Sequence, residues 1–268
     1  VLVFTCRLST RTLVILSAIC LLQPVCLWQL LRACADFSYE IMRLDTSAYW
    51  GATFAAQSSA GFWETVRVNL IEGQLASLAW AWDHGRVFQT AGLFIAGVLI
   101  GRQGWFKRAE LSRWGVVLAV ALCGFFPLYG LNNMVGKYIT NPNILTPLGI
   151  ILSSLANLCF MLVLVSGVIF AYYSTRRVGR ILDLLRPYGR MSMTNYVTQG
   201  IIGSALFYHW GFFLQIGITG SELIGIGIFL VQYAVCCVWM RRHSHGPLEW
   251  LWKKATWLEF PFARRKAA

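Results

Sequence analysis

The sequence predicts an all-α integral membrane protein of about six transmembrane helices, with an amphipathic outer-loop helix and a C-terminal interfacial helix. Three observations predict it. Hydrophobic residues make up 57% of the 268 and charged residues 13%, about half the charged share of a soluble domain. The apolar residues fall in long uncharged runs and not in the alternation of half-buried strands. The basic residues are spread unevenly over the segments between those runs. So little polar surface cannot cover a water-soluble fold of this size, and the composition excludes a disordered chain. The net charge of +12 is therefore a topology signal and not a nucleic-acid patch.

The uncharged runs are Thr12–Leu31, Val87–Gly101, Trp114–Gly136, Tyr138–Thr175, Met191–Ser221 and Leu223–Met240. A crossing helix needs about 20 apolar residues, and the first, third and fourth runs reach that easily. Pro142 and Pro147 place the fourth helix from near Thr146 to near Tyr173. The fifth is expected from about Thr194 to Leu214, with the Gly-rich turn Gln215–Gly220 leading as a hairpin into the sixth. The second run is short and crosses only if Arg86 and Arg102 snorkel toward the headgroups. The charge pattern nonetheless requires it. With six crossings and both termini cytoplasmic, only Arg32, Arg43, Arg67, Arg86 and Lys137 of the 23 Lys and Arg residues fall outside, as a positive-inside protein should have it. The charge pattern thus gives a multi-pass membrane protein with both termini cytoplasmic.

The expected organisation is a membrane helix in residues 1–31, an extracytoplasmic loop in 32–85, a five-helix membrane domain in 86–240 and a cytoplasmic basic tail in 241–268. The stretch behind Arg7 and Arg11 is read as a retained helix. A signal-peptide cut after Ala35 would leave Arg32 badly placed. Apolar residues at helical spacing from Phe62 to Trp82 predict the amphipathic outer helix, on or partly in the interface. Leu248, Leu251, Trp252, Ala255 and Leu258 make a second apolar stripe behind Pro247, with Lys253 and Lys254 beside it, as in a helix lying on an anionic leaflet. The eight cysteines form no C-x-x-C pair, so neither a zinc site nor a disulfide framework follows.

Among the polar residues, Arg186-Pro187-Tyr188-Gly189-Arg190-Met191-Ser192-Met193-Thr194-Asn195-Tyr196 is the densest group. Ser192 or Thr194 can cap the fifth helix, whose free N–H groups favour an anion. With Arg186 and Arg190 the helix end could hold the phosphate of an acyl-CoA-type donor. A capped helix end with two topology-setting arginines explains the same residues more simply. Asn157, Asn195, Gln199 and Gln232 lie within spans, and interhelical hydrogen bonding accounts for them. Asp83 and His84 at one outer helix end, and His209 at another, are candidates for general acid–base work, against the plainer reading of an interfacial aromatic belt. His243 and His245 lack a third ligand, and no metal is expected.

Two of these clusters together resemble a family. Gly189-Arg190-Met191-Ser192-Met193-Thr194-Asn195-Tyr196 with Gln199, and Gly246-Pro247-Leu248-Glu249-Trp250-Leu251-Trp252, resemble the paired signatures of the YeiB-like bacterial inner-membrane proteins, which share a C-terminal domain of unknown function. Phe88-Gln89, Gly92-Leu93-Phe94, Gly97 and Gly101-Arg102 are similar to that family's glycine-rich helix. Lys253 stands where the family often has Arg. The resemblance covers roughly Gly85 to Trp257 and implies additional N-terminal helices in relatives, so the chain, starting at Val1, is read as N-terminally truncated. By fold-level analogy the family implies membrane-embedded acyl transfer from a cytoplasmic donor to a small-molecule or glycan acceptor outside. The alternative it implies is a non-catalytic transport-associated or scaffold protein.

Overall fold

The computed structural model describes residues 5, 8–41 and 43–256. Arg7, Leu258 and the basic residues Arg264, Arg265 and Lys266 of the expected tail lie outside the described residues. Within them every regular element is helical and no strand occurs. The chain forms two compact units, Val1–Ala52 with Asn69–Arg176, and Thr53–Val68 with the residues from Arg177 onward.

In the first unit, α1 (Thr10–Leu21) starts where the Ser9 hydroxyl accepts from Thr12 N at 3.2 Å. The first crossing, expected as one continuous helix, is instead a bent pair of helices. α2 (Pro24–Ala35) follows α1 at a bend of 51°. Pro24 has no N–H to continue the ladder and its ring clashes with the preceding turn. Gln23 makes the corner in the left-handed region, at φ 57° and ψ 64°. α3 (Ser47–Ser59) runs from the first unit into the second. The outer-loop amphipathic stretch then divides into α4 (Phe62–Val68), a π turn (Asn69–Gly73) and α5 (Gln74–Asp83). Next comes α6 (Arg86–Gln103), which packs on α1 through Leu13, Ile95 and Leu99, with Leu16 and Val98 alongside. The Ser17 hydroxyl donates to the Gly92 carbonyl at 3.0 Å, so α1 and α6 lie backbone-close.

A hairpin of α7 (Leu111–Tyr138) and α8 (Pro142–Ser174) completes this unit. Asn141 turns the chain and its side chain caps α8, accepting from Asn143 N at 2.9 Å. At about 1.5 Å per residue these helices extend about 42 and about 50 Å, beyond the roughly 30 Å of a hydrocarbon core. Their exposed faces carry Val116, Val120, Leu164 and Val168. Such faces suit lipid and not water.

In the second unit α9 (Arg176–Asp183) and α10 (Arg186–Arg190) lead to α11 (Ser192–Phe207), α12 (Ile218–Trp239) and α13 (Pro247–Thr256). α11 stops short of the expected Leu214. After Phe207 the chain turns back, and Phe212 N and Leu214 N donate to the Ala205 and Leu206 carbonyls at 2.8 and 2.9 Å. Those bonds use carbonyls that a longer helix would have spent on its own next turn. Three helices, α7, α8 and α12, are long and apolar enough to cross a membrane, and a fourth crossing arises if the bent α1–α2 pair is one span. α6 and α11, with 18 and 16 residues, are not in that set, so the structure supports three to four such helices where the sequence predicts six. The protein is thus helical and built for a membrane.

Candidate functional site

The two sequence signatures meet in the second unit. α11 has no side-chain cap of its own, because Met191 occupies the N-cap position and Ser192 is already helical and exposed. The expectation that Ser192 or Thr194 caps its own helix is corrected accordingly. The free N–H groups find the carboxylate of Glu249 on α13. Glu249 Oε1 accepts from Met193 N at 2.8 Å and Thr194 N at 3.0 Å, and Oε2 accepts from the Thr194 hydroxyl at 2.6 Å. Leu248 N in turn donates to Thr194 Oγ1 at 3.2 Å. This is an anion on a helix N-terminus, supplied by the chain itself. Partial burial pushes the Glu249 carboxyl up, but the bonds from Thr194, Met193 and its own backbone outweigh that and hold it below the ordinary range.

Gly246 is part of the same joint. A Cβ there would lie 2.2 Å from Glu249 Oε2 and 3.0 Å from both Met191 Cγ and Thr194 Oγ1. Only glycine lets the loop approach α11 this closely. Arg190 donates to the Ser244 carbonyl of that loop, and Pro247 opens α13 as a first helical residue.

Next to Thr194 on α11, Asn195 is buried at the centre of a second network. Its Nδ2 donates to the Tyr188 carbonyl at 3.1 Å and its Oδ1 accepts from Cys236 Sγ at 3.3 Å. Gln232 Nε2 donates to the Asn195 carbonyl at 3.0 Å and to Thr198 Oγ1 at 2.9 Å, while the Tyr188 hydroxyl donates to Gln232 Oε1 at 3.2 Å. Gln199, one turn further along α11, is exposed, as are Tyr196, Trp250 and Arg186. Gly189 meets nothing that a Cβ would strike.

The histidine candidates make contacts of their own. His84 Nδ1 lies 2.9 Å from the Trp80 carbonyl and its ring stacks on Trp80 at 4.8 Å. Asp83 Oδ2 accepts from Leu44 N at 3.3 Å and borders a small polar cavity of about 30 Å³ with Arg43, Gln29 and Thr146. Both belong to the first unit. His209 belongs to the second, where its N–H donates to the Gln57 carbonyl at 2.9 Å and its ring meets Phe213 edge-on. Among the described residues no cluster of three metal-ligating side chains occurs.

A polar site that sequence reasoning missed lies at the α1–α2 corner. Gln23 is buried, its Nε2 donates to Ser154 Oγ at 3.3 Å, and its Oε1 has no hydrogen-bond partner among the described residues. Gln89 reaches the same stretch of α8, donating to the Ser154 carbonyl at 3.3 Å and accepting from Arg86 at 2.7 Å. The signal available was Gln23-Pro24 inside an otherwise apolar run.

The chain is 37% identical over 109 residues to Uncharacterized protein YxaH of Bacillus subtilis (strain 168), covering 38% of this chain and 26% of that protein. It is 25% identical over 174 residues to Uncharacterized protein YeiB of Escherichia coli (strain K12), covering 63% of this chain and 44% of that protein. A Bacillus acidopullulyticus protein, Uncharacterized 39.9 kDa protein in amylase 3'region, is 32% identical over 93 residues, 33% of this chain and 26% of its own. The matches thus span less than half the length of these relatives. No solved structure matches. Residues 100–259, more than half of the chain and including both halves of the Glu249 joint, match the family described as Protein of unknown function (DUF418), and the chain belongs to that family.

Proposed function

We propose that the chain is part of a polytopic bacterial inner-membrane protein, with six crossings and cytoplasmic termini, and that it acts as a non-catalytic, transport-associated scaffold. The observation that carries this reading is how the two signatures spend their polar groups. Glu249, Thr194, Asn195, Gln232 and Tyr188 hydrogen-bond to one another and to backbone, which is the use expected of groups that join helices. The charge asymmetry between segments supports the orientation. The interrupted α1–α2 pair with Gln23 at its corner supports the association with transport, since broken helices with buried polar groups recur in transporters. Acyl transfer, with a donor phosphate at Arg186, Arg190 and the start of α11, would require the Glu249 carboxylate to leave the N–H groups it occupies.

Thermal unfolding of the purified chain in detergent tests this. Asn195→Ala is expected to lower stability by about 1 kcal/mol, typical of a hydrogen-bonded side chain between membrane helices. Acetyl-CoA and palmitoyl-CoA are expected to leave the midpoint of the unaltered chain where it is. A donor present at a hundred times its Kd would stabilise the fold by about 2.7 kcal/mol. A shift of that size would overturn the scaffold reading in favour of an enzyme.

A further inference from the structure

Beside the Glu249 joint lies a cavity of about 470 Å³, within the size of pockets that hold small molecules. Trp239, Pro247, Leu248, Trp250 and Leu251 make its apolar walls, and the His243–Gly246 loop its polar edge. The walls are held in place by bonds among themselves and by the joint. The Trp239 indole donates to the His245 carbonyl at 3.0 Å and stacks on the His243 ring at 4.2 Å, and Glu249 pins α13 to α11. The cavity is therefore part of the fold and not a gap left by a loose helix.

Its chemistry is two-sided. The interior is apolar, while the surroundings are basic. His245 Nε2 lies 3.5 Å from Lys253 Nζ, Lys254 sits over the Trp250 ring at 4.9 Å, and Arg241 and Arg242 precede the loop. The single acidic residue of α13 is Glu249, and its carboxylate is committed to α11. None of the described residues lining the cavity is acidic. The cavity also opens where α12, a helix long and apolar enough to cross a membrane, ends at Trp239. An apolar seat with a basic rim at that depth matches a lipid whose acyl chain is buried and whose head carries negative charge.

We propose that this cavity binds one anionic phospholipid, its acyl chain lodged against Trp239, Leu248 and Leu251 and its phosphate held by Lys253 and the His243–His245 edge. The proposal rests on the membrane reading of α12 and is independent of whether the protein is a scaffold.

The test uses the full chain reconstituted in phosphatidylcholine vesicles containing a phosphatidylglycerol probe with a photoactivatable acyl chain, or the matching phosphatidylcholine probe. Crosslinked peptides are then mapped. Labelling within Trp239–Leu251 is expected, and the phosphatidylglycerol probe should label at least about fivefold more than the phosphatidylcholine probe, the preference one well-placed lysine supplies. Leu251→Glu, which puts a carboxylate in the cavity, should abolish labelling by both. Lys253→Gln, on the rim and away from the packed joint, should reduce phosphatidylglycerol labelling to the phosphatidylcholine level and leave the latter unchanged. Equal labelling of the unaltered chain by the two probes would overturn the proposal. So would crosslinks confined to other segments, or an unchanged preference in Lys253→Gln. Palmitoyl-CoA that competes off the probe more effectively than unlabelled phosphatidylglycerol would overturn it too, and would reassign the cavity to an acyl donor.

Discussion

Replacing Glu249 by alanine removes three hydrogen bonds at once and leaves Met193 N, Thr194 N and the Thr194 hydroxyl facing an emptied space. Loss of an ordinary N-cap costs about 1 kcal/mol, and a hydrogen bond to a charged group contributes about 1.5–3 kcal/mol. The joint is only partly buried, so water recovers some of the loss, and about 3 kcal/mol is the expected total. Glu249→Gln keeps one acceptor oxygen and the side-chain shape but gives up the charge, which should cost about 1–2 kcal/mol. For a protein of this size about 2–4 °C per kcal/mol translates the alanine variant into a fall of about 6–12 °C, read in detergent at one fixed scan rate. Thr194→Ala closes a double-mutant cycle, and a coupling of about 1–2 kcal/mol is expected for residues in direct contact. The acid limb gives a second reading. Because the folded Glu249 carboxyl lies below its ordinary value of 4.5, its contribution is complete above that pH. It is lost as the pH falls through the lower folded value. Glu249→Gln should therefore flatten that part of the stability profile. An alanine variant no less stable than Lys254→Ala, or a cycle whose single effects simply add, would refute the argument.

Two glycine substitutions probe the same logic elsewhere. Gly246→Ala places a Cβ 2.2 Å from Glu249 Oε2, and its effect in thermal melts should approach that of Glu249→Ala and not add to it in the double variant. Gly85 sits at φ +64°, and a Cβ there would lie 2.1 Å from Gln23 Oε1. Gly85→Ala should thus cost more than the roughly 1–2 kcal/mol of a left-handed alanine. Pairing it with Gln23→Gly, which removes the obstructing amide, should return the loss to that backbone level when melts of the four proteins are compared by circular dichroism.

Hydropathy made α7, α8 and α12 legible because a lipid-facing helix is apolar all round, and a run of uncharged residues reports that directly. It failed where backbone geometry decides. Thr12–Leu31 reads as one span by composition, yet Gln23 and Pro24 turn it through 51°, because a missing N–H counts for more than the apolarity of its neighbours. It failed again at the end of α11, where residues past Phe207 remain apolar but donate backward to Ala205 and Leu206. The site shows a different limit. Both signatures are legible in the chain, but their meeting is not, because Thr194 and Glu249 are 55 residues apart and periodicity carries no information at that distance. Once joined, they also explain one another. Gly246 admits the loop, Pro247 starts the helix, Glu249 reaches the N–H groups that neither Ser192 nor Met191 caps, and Thr194 meets it with a hydroxyl. Two motifs met separately along the chain are the two faces of one contact, so a substitution in either should be repaired only by a change in the other.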